Sequence, residues 1–140
     1  MPDPRHARGL IDTSVVIDLE QIAANSLPIE LAISAVTLAE LAAGPHATAD
    51  PAERARRQDR LQRAEATFDP RPIDATTARA YGRIYAAVAT AGRKARGRRA
   101  FDLLIAATAL GAGLPLYTRN PADFSGLDSL LEVVAVEPSR

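Results

Sequence analysis

A three-layer α/β fold, with a central and mostly parallel sheet flanked by helices, is predicted by three observations. Short apolar runs alternate with longer stretches of helical spacing along the 140 residues. Capping and turn residues punctuate the junctions between them. Carboxylates interrupt the apolar runs close to where strands end or helices begin, and that edge of a parallel sheet is where such folds hold their ligands.

The elements follow in order. Residues 8–11 form a short buried strand that ends at Asp12. From residue 13 to about 24 the spacing of Val15, Val16 and Leu19 predicts a helix, which Asn25-Ser26-Leu27-Pro28 breaks. Residues 29–33 are a second strand candidate. Ser34 caps a helix over 35–43, which Gly44-Pro45 stops. Asp50-Pro51-Ala52-Glu53 opens a charged helix running to 66, with Glu53–Arg57 and Asp59–Arg63 at ion-pair spacing. Its apolar face is thin, so it is either a solvated arm or a surface that awaits a partner. Pro70 and Pro72 reduce residues 68–73 to an edge strand at best. Asp74 caps a helix to 91, and Gly92 ends it. Residues 92–99 are a basic loop. Residues 100–110 are apolar nearly all round, as a buried helix requires. A strand over 114–118, a loop over 119–129 and a last strand over 131–136 complete one domain spanning 1–140.

Composition narrows the function. At 47% hydrophobic and 24% charged residues the chain is an ordinary globular protein. Its formal net charge is zero, so any nucleic acid must be met by a local patch. It has no cysteine, which excludes disulfides, thiolate nucleophiles and cysteine-based zinc sites. Neither His6 nor His46 lies in an apolar motif, which disfavours a histidine acid–base mechanism. The first eight residues lack the apolar core of a signal peptide, and no apolar run reaches membrane-spanning length, so a cytoplasmic protein is expected.

Three carboxylates are out of place: Asp12 within Leu10-Ile11-Asp12-Thr13-Ser14-Val15, Glu40 within Thr37-Leu38-Ala39-Glu40-Leu41, and Asp102 within Phe101-Asp102-Leu103-Leu104. A buried ionised carboxylate is costly unless a positive partner meets it. Each alone has an ordinary explanation: a helix cap for Asp12, an ion pair with a distant arginine for Glu40, helix-dipole complementarity for Asp102. Together they predict a shared hard cation, Mg2+ or Mn2+, which favours oxygen ligands. The segment Thr118-Arg119-Asn120-Pro121-Ala122-Asp123-Phe124 adds neutral oxygens at Thr118 and Asn120, with Asp123 as a fourth acid or a turn residue. Arg93, Lys94, Arg96, Arg98 and Arg99 form a basic run just before Asp102. It suits a phosphate backbone, and equally an acidic protein partner.

These four segments, Leu10 to Ser14, Ser34 to Leu41, Phe101 to Ala109 and Thr118 to Phe124, resemble in order and over almost the whole chain the PIN-domain ribonucleases, and among them the VapC toxins of type II toxin–antitoxin pairs. The resemblance implies a PIN-like three-layer domain and an endoribonuclease dependent on Mg2+ or Mn2+. It places Asp12, Glu40 and Asp102 as the acidic triad and Asn120 at a fourth position that is commonly acidic in the family. It implies a homodimer, a cognate VapB-type antitoxin that inserts a segment into a groove of the toxin, and structured substrates such as tRNA or rRNA. The mechanism expected on that basis is in-line attack of a metal-activated water on phosphorus, giving a 5′-phosphate and a 3′-hydroxyl. Thr13, Ser14 and Thr118 would steady the carboxylates, and the loop arginines would grip the RNA.

Two other classes remain. A PIN-like module that binds RNA or protein without cleaving is kept open by Asn120. An aspartyl-phosphate enzyme is the weaker rival, because a dehalogenase-like site wants a second Asp two residues after the first, where this chain has Ser14.

Overall fold

The computed structural model describes residues 5–92 and 98–137, and for Arg98 the backbone alone. Arg93, Lys94 and Arg96 of the basic run therefore lie outside the described residues. Four strands form one sheet: β1 (Arg8–Ile11), β2 (Glu30–Ala32), β3 (Leu116–Thr118) and β4 (Val133–Ala135), in the order β2-β1-β3-β4. Every neighbouring pair is parallel, with Leu10 opposite both Ala32 and Leu116, and Thr118 opposite Ala135. Parallel strands need crossovers; those from β1 to β2 and from β2 to β3 contain the helices α1 (Thr13–Ile17), α2 (Ala35–Ala43), α3 (Pro51–Thr67), α4 (Ala75–Thr90) and α5 (Arg98–Ala112), and that from β3 to β4 contains a 3-10 turn.

Alternation along the central strands divides the core into two layers. Leu10 and Leu116 turn to one side, into a cluster with Ile84 and Val88 of α4 and Leu103, Ile105 and Ala106 of α5. Ile11 and Tyr117 turn to the other, with Val15 and Val16 of α1, Leu41 of α2 and Ala64 of α3. The expected three layers are thus present, with the sheet between two helical layers.

Local chemistry accounts for most boundaries. Side chains of Asp12, Ser34, Asp50 and Asp74 each accept a backbone N–H in the first turn of α1, α2, α3 and α4. Gly92, at φ +74°, takes the left-handed conformation that follows α4. On α3 only Ala64 is buried, and the expected pairs form: Glu53 with Arg57 at 3.1 Å, and Asp59 with Arg63 at 3.0 Å. Among the described residues no helix is long and apolar enough to cross a membrane.

Three expectations change. The basic loop expected over 92–99 ends before Arg98, where α5 already begins. The helix expected over 13–24 stops at Ile17 and gives way to single 3-10 turns at Leu19–Gln21 and Ala24–Ser26. Asp18 leaves helical geometry (φ −105°, ψ 15°), and its carboxylate is drawn to Arg119, a contact invisible in local periodicity. The edge strand expected over 68–73 shrinks to a bridge between Ser34 and Arg71. Between two prolines without N–H groups, Arg71 alone pairs, donating to Ile33 O at 2.9 Å and accepting from Ala35 N at 2.8 Å.

Gly9 marks the tightest approach inside the sheet. A Cβ there would sit 2.7 Å from Cε1 of the buried Tyr117 ring and 3.0 Å from Pro28 Cγ. Gly9→Ala is expected to cost about 1–3 kcal/mol, the range for overpacking a closed core. Urea unfolding of the variant measures it, and a change within 0.5 kcal/mol, the scale of a neutral surface substitution, would mean that the ring moves aside freely.

Candidate active site

The strands run in one direction, so their carboxyl ends share an edge, and the residues leaving it meet there. Asp12 follows β1 and is 5% exposed. Its N–H donates to Tyr117 O at 3.0 Å, which ties it to β3. Its carboxylate accepts from Ser14 Oγ at 2.6 Å and from Val15 N at 3.1 Å. The Thr118 hydroxyl and the Ser14 N–H also favour its charged form. Burial pushes the Asp12 carboxyl above its ordinary range, and these donors only partly offset that. All of them are neutral. Asp12 is the N-cap of α1, as its ordinary explanation requires, but capping alone does not call for a desolvated carboxylate ringed by hydroxyls.

Glu40 arrives from α2, half-buried. Thr13 Oγ1 donates to Glu40 Oε1 at 2.6 Å and stands 3.1 Å from Oγ1 of the fully buried Thr37. Two adjacent residues of α1 therefore hold two distant acids, Ser14 holding Asp12 and Thr13 holding Glu40. Asp102 is half-buried in the second turn of α5. The start of α5 lies against the segment after β3, where Arg99 Nη1 donates to Asp123 O at 3.0 Å. A second tie links α2 and α5: the buried hydroxyls of Ser34 and Thr108 are 3.3 Å apart.

The segment after β3 completes the edge. Fully buried Thr118 accepts from Asn120 N at 2.9 Å. Asn120 is exposed, and its carbonyl accepts from Asp123 N at 3.0 Å, closing a 3-10 turn over Pro121–Phe124. Asp123 is half-buried within that turn. Of the basic run, only Arg99 has a described side chain, and it is engaged with this turn.

The groups around Asp12 and Glu40 are carboxylate and hydroxyl oxygens, which suit a hard cation. Asp12 in particular is a buried acid whose partners among the described residues carry no positive charge. Among the described residues no three His, Cys, Asp or Glu side chains stand close enough together to hold an ion by themselves. Three residues gain a place at this edge that their sequence context did not announce: Thr37, Asp18 and Arg119. Thr37 lies one helical turn before Glu40, a spacing that puts both on one face of α2. For Asp18 and Arg119, 101 residues apart, no local signal exists.

Beside the edge, α1 and α3 enclose a groove of about 440 Å³. Val16, Leu19, Ala64 and Phe68 give it an apolar lining, and its rim carries both signs, Arg56, Arg60 and Arg63 with Asp18, Glu20 and Asp59. The thin apolar face of α3 thus borders an open surface rather than bulk solvent alone.

Known proteins share this fold. The PIN domain family model matches residues 9–129. Ribonuclease VapC5 of Mycobacterium tuberculosis is 37% identical over 130 residues, covering 91% of this chain and 93% of that protein. Ribonuclease VapC8 of the same species is 39% identical over 102 residues, covering 72% of this chain and 89% of that one. The crystal structure of VapBC-5 from Mycobacterium tuberculosis, a member of the VapBC family of toxin–antitoxin systems, superposes with a TM-score of 0.81 at 37% identity, over 93% of this chain and 99% of that chain. The match spans the strand that delivers Asp12, the helices that deliver Glu40 and Asp102, and the segment after β3: the chain belongs to the PIN-domain family, among the VapC proteins.

Proposed function

We propose that this chain is the toxin of a type II toxin–antitoxin pair, an endoribonuclease that cleaves cellular RNA with Mg2+ or Mn2+. The observation that carries the chemistry is Asp12, a buried carboxylate at the carboxyl edge of a parallel sheet, met among the described residues by neutral donors. A cation is what such a group lacks. Asp12 and Asp102 would hold it, with Glu40 and Asn120 holding it or a water beside it. Since no three described acids close on one point, the ion would keep several of its waters, as Mg2+ commonly does. Bound there, a divalent cation supplies a more acidic water and neutralises charge that grows on a phosphodiester.

The rest is the work of the chain's own groups. Ser14 and the Val15 N–H fix the orientation of the Asp12 carboxylate, Thr118 favours its charged form, and Thr13 fixes the orientation of Glu40. Arg93, Lys94, Arg96, Arg98 and Arg99 would meet the RNA backbone beside Asp102. The groove between α1 and α3 suits an antitoxin segment with apolar side chains, given its apolar lining and a rim on which arginines and acids balance. The names of VapC5 and of the VapBC-5 complex support both halves of this reading.

Incubation with total RNA is the direct test. Cleavage is expected with Mg2+ and not with EDTA, leaving 5′-phosphate ends. Asp102→Asn should abolish it while the circular dichroism spectrum is unchanged. Cleavage by that variant at the parental rate would remove Asp102 from the chemistry, and equal cleavage in EDTA would remove the metal. A second reading, a PIN module that binds RNA without cutting it, is favoured by one feature: amide rather than acid at exposed Asn120. Retarded RNA mobility with intact RNA would select it.

A further inference from the structure

Helix α1 carries the two hydroxyls that hold Asp12 and Glu40, yet it has only five residues. A helix that short is not stable by itself, because the cost of nucleation is spread over too few hydrogen bonds. Its geometry must be imposed from outside. Both of its ends are held by one residue, Arg119, which directly follows β3. At the amino end, Arg119 N donates to Ser14 Oγ at 3.0 Å, and the same Ser14 Oγ donates to Asp12 Oδ1 at 2.6 Å. At the carboxyl end, the Arg119 guanidinium donates through Nη1 to Asp18 Oδ2, and Asp18 is the C-cap of α1. The two charged side chains are less than a third exposed, at 29% and 28%, so solvent only partly screens them. Arg119 Nε is buried without a hydrogen-bond partner among the described residues. An unsatisfied buried N–H opposes folding, so stability alone is a poor account of a guanidinium in this place.

We infer that Arg119 is a positioning residue: it clamps α1 at both ends, by its main chain through Ser14 and by its side chain through Asp18, and so sets the direction of the Asp12 and Glu40 carboxylates. The inference rests on the proposed metal-dependent function for its catalytic consequence, but not for the clamp itself. Arg119 acts through Ser14, Asp18 and α1 rather than by touching the reacting atoms.

The test uses the full chain with Arg119→Met, which removes the guanidinium and keeps the backbone N–H, together with Arg119→Lys, Asp18→Asn and the double variant Arg119→Met/Asp18→Asn. Two readouts are taken well below each Tm: exchange of the Val15 and Val16 amides without metal, and Mn2+ affinity by calorimetry. Arg119→Met is expected to speed that exchange at least about tenfold while amides of α4 and α5 are unchanged, and to weaken Mn2+ binding by about 10- to 100-fold, the scale for residues that orient metal ligands. Asp18→Asn should do the same, the double variant should be no worse than the worse single one, and Arg119→Lys should recover most of the loss. With RNA, kcat should fall and KM stay within about twofold. The inference is overturned if exchange and Mn2+ affinity stay parental in Arg119→Met, if the two single losses add fully, or if KM rises with kcat unchanged, which would make Arg119 an RNA contact. If the parent neither binds Mn2+ nor cleaves RNA, the proposed function fails, while amide exchange in α1 still decides whether Arg119 clamps the helix.

Discussion

Asp12→Asn is expected to lose at least about 10³-fold in RNA cleavage, equivalent to about 4 kcal/mol of transition-state stabilisation and within what a bound cation contributes. The same change is expected to make the metal-free protein more stable. Asn caps a helix about as well as Asp, and the Ser14 and Thr118 hydroxyls can rotate to suit an amide, so only the desolvated charge is lost. The sign of the pH dependence follows from the raised carboxyl. In the unfolded chain Asp12 titrates near its ordinary value of about 3.9, and in the folded chain above it. Between those two values the folded state binds more protons, so the contribution of Asp12 to stability falls as pH rises through that window and stays at its lowest above it. Below the ordinary value Asp12 is protonated in both states and imposes no penalty. Urea unfolding without divalent ions from pH 3 to 8 should therefore show parent and Asp12→Asn converging in acid and separating, the variant ahead, towards neutrality. Adding Mg2+ reverses the order in the proposed function. An ion at 100 times its Kd stabilises the parent by about 2.7 kcal/mol and a variant that cannot bind it by nothing. A parent that gains on the variant as pH rises without metal would show that Asp12 is not a destabilising buried charge.

Phe124→Ala should produce the largest loss of stability among single changes near the site, about 3–5 kcal/mol, the cost of emptying a buried aromatic position. Phe124 is 1% exposed and is the largest fully buried side chain among the described residues. It belongs to the core cluster of Leu103, Ile105 and Leu116, between α5 and the sheet. It also ends the 3-10 turn that follows Thr118, Arg119 and Asn120. Its ring therefore anchors the segment that touches Asp12 through Thr118 and Ser14 through Arg119. The urea midpoint should fall with an unchanged m value. Cleavage at a temperature where the variant is fully folded should fall as well. A loss below about 1 kcal/mol would mean that the core closes over the gap, contrary to the usual outcome in a tightly packed interior.

Much of this molecule could be read from local patterns because the governing forces are local. Four caps, Asp12, Ser34, Asp50 and Asp74, sit where a short polar side chain directly precedes a helical stretch, and each closes on an N–H two or three residues ahead. The alternation of strands and helices led to a parallel sheet, since crossovers of that length permit little else. Asp12 stood out because its neighbours are apolar, and the structure buries it. Where periodicity erred, a distant partner had intervened. Helix α1 is cut short at Asp18, whose carboxylate meets Arg119. Residues 68–73 do not form a strand, because the only backbone groups free to pair between the prolines belong to Arg71.

By itself, then, the chain of residue types determined the α/β class, the starts of the first four helices and the family to which the chain belongs, and it singled out the acids of the proposed site. These depend on spacing along the backbone and on the cost of placing charge among apolar neighbours. Tertiary structure alone decided which hydroxyl holds which acid, that Thr13 serves Glu40 while Ser14 serves Asp12, and that Arg119 grips α1 from the far side of the sequence. Such contacts are made by loops leaving neighbouring strands, and the order of strands in a sheet, β2-β1-β3-β4, is not a property of any one segment. It arises when two apolar faces of the same sheet must be covered at once, and only then do residues a hundred positions apart come within hydrogen-bonding distance.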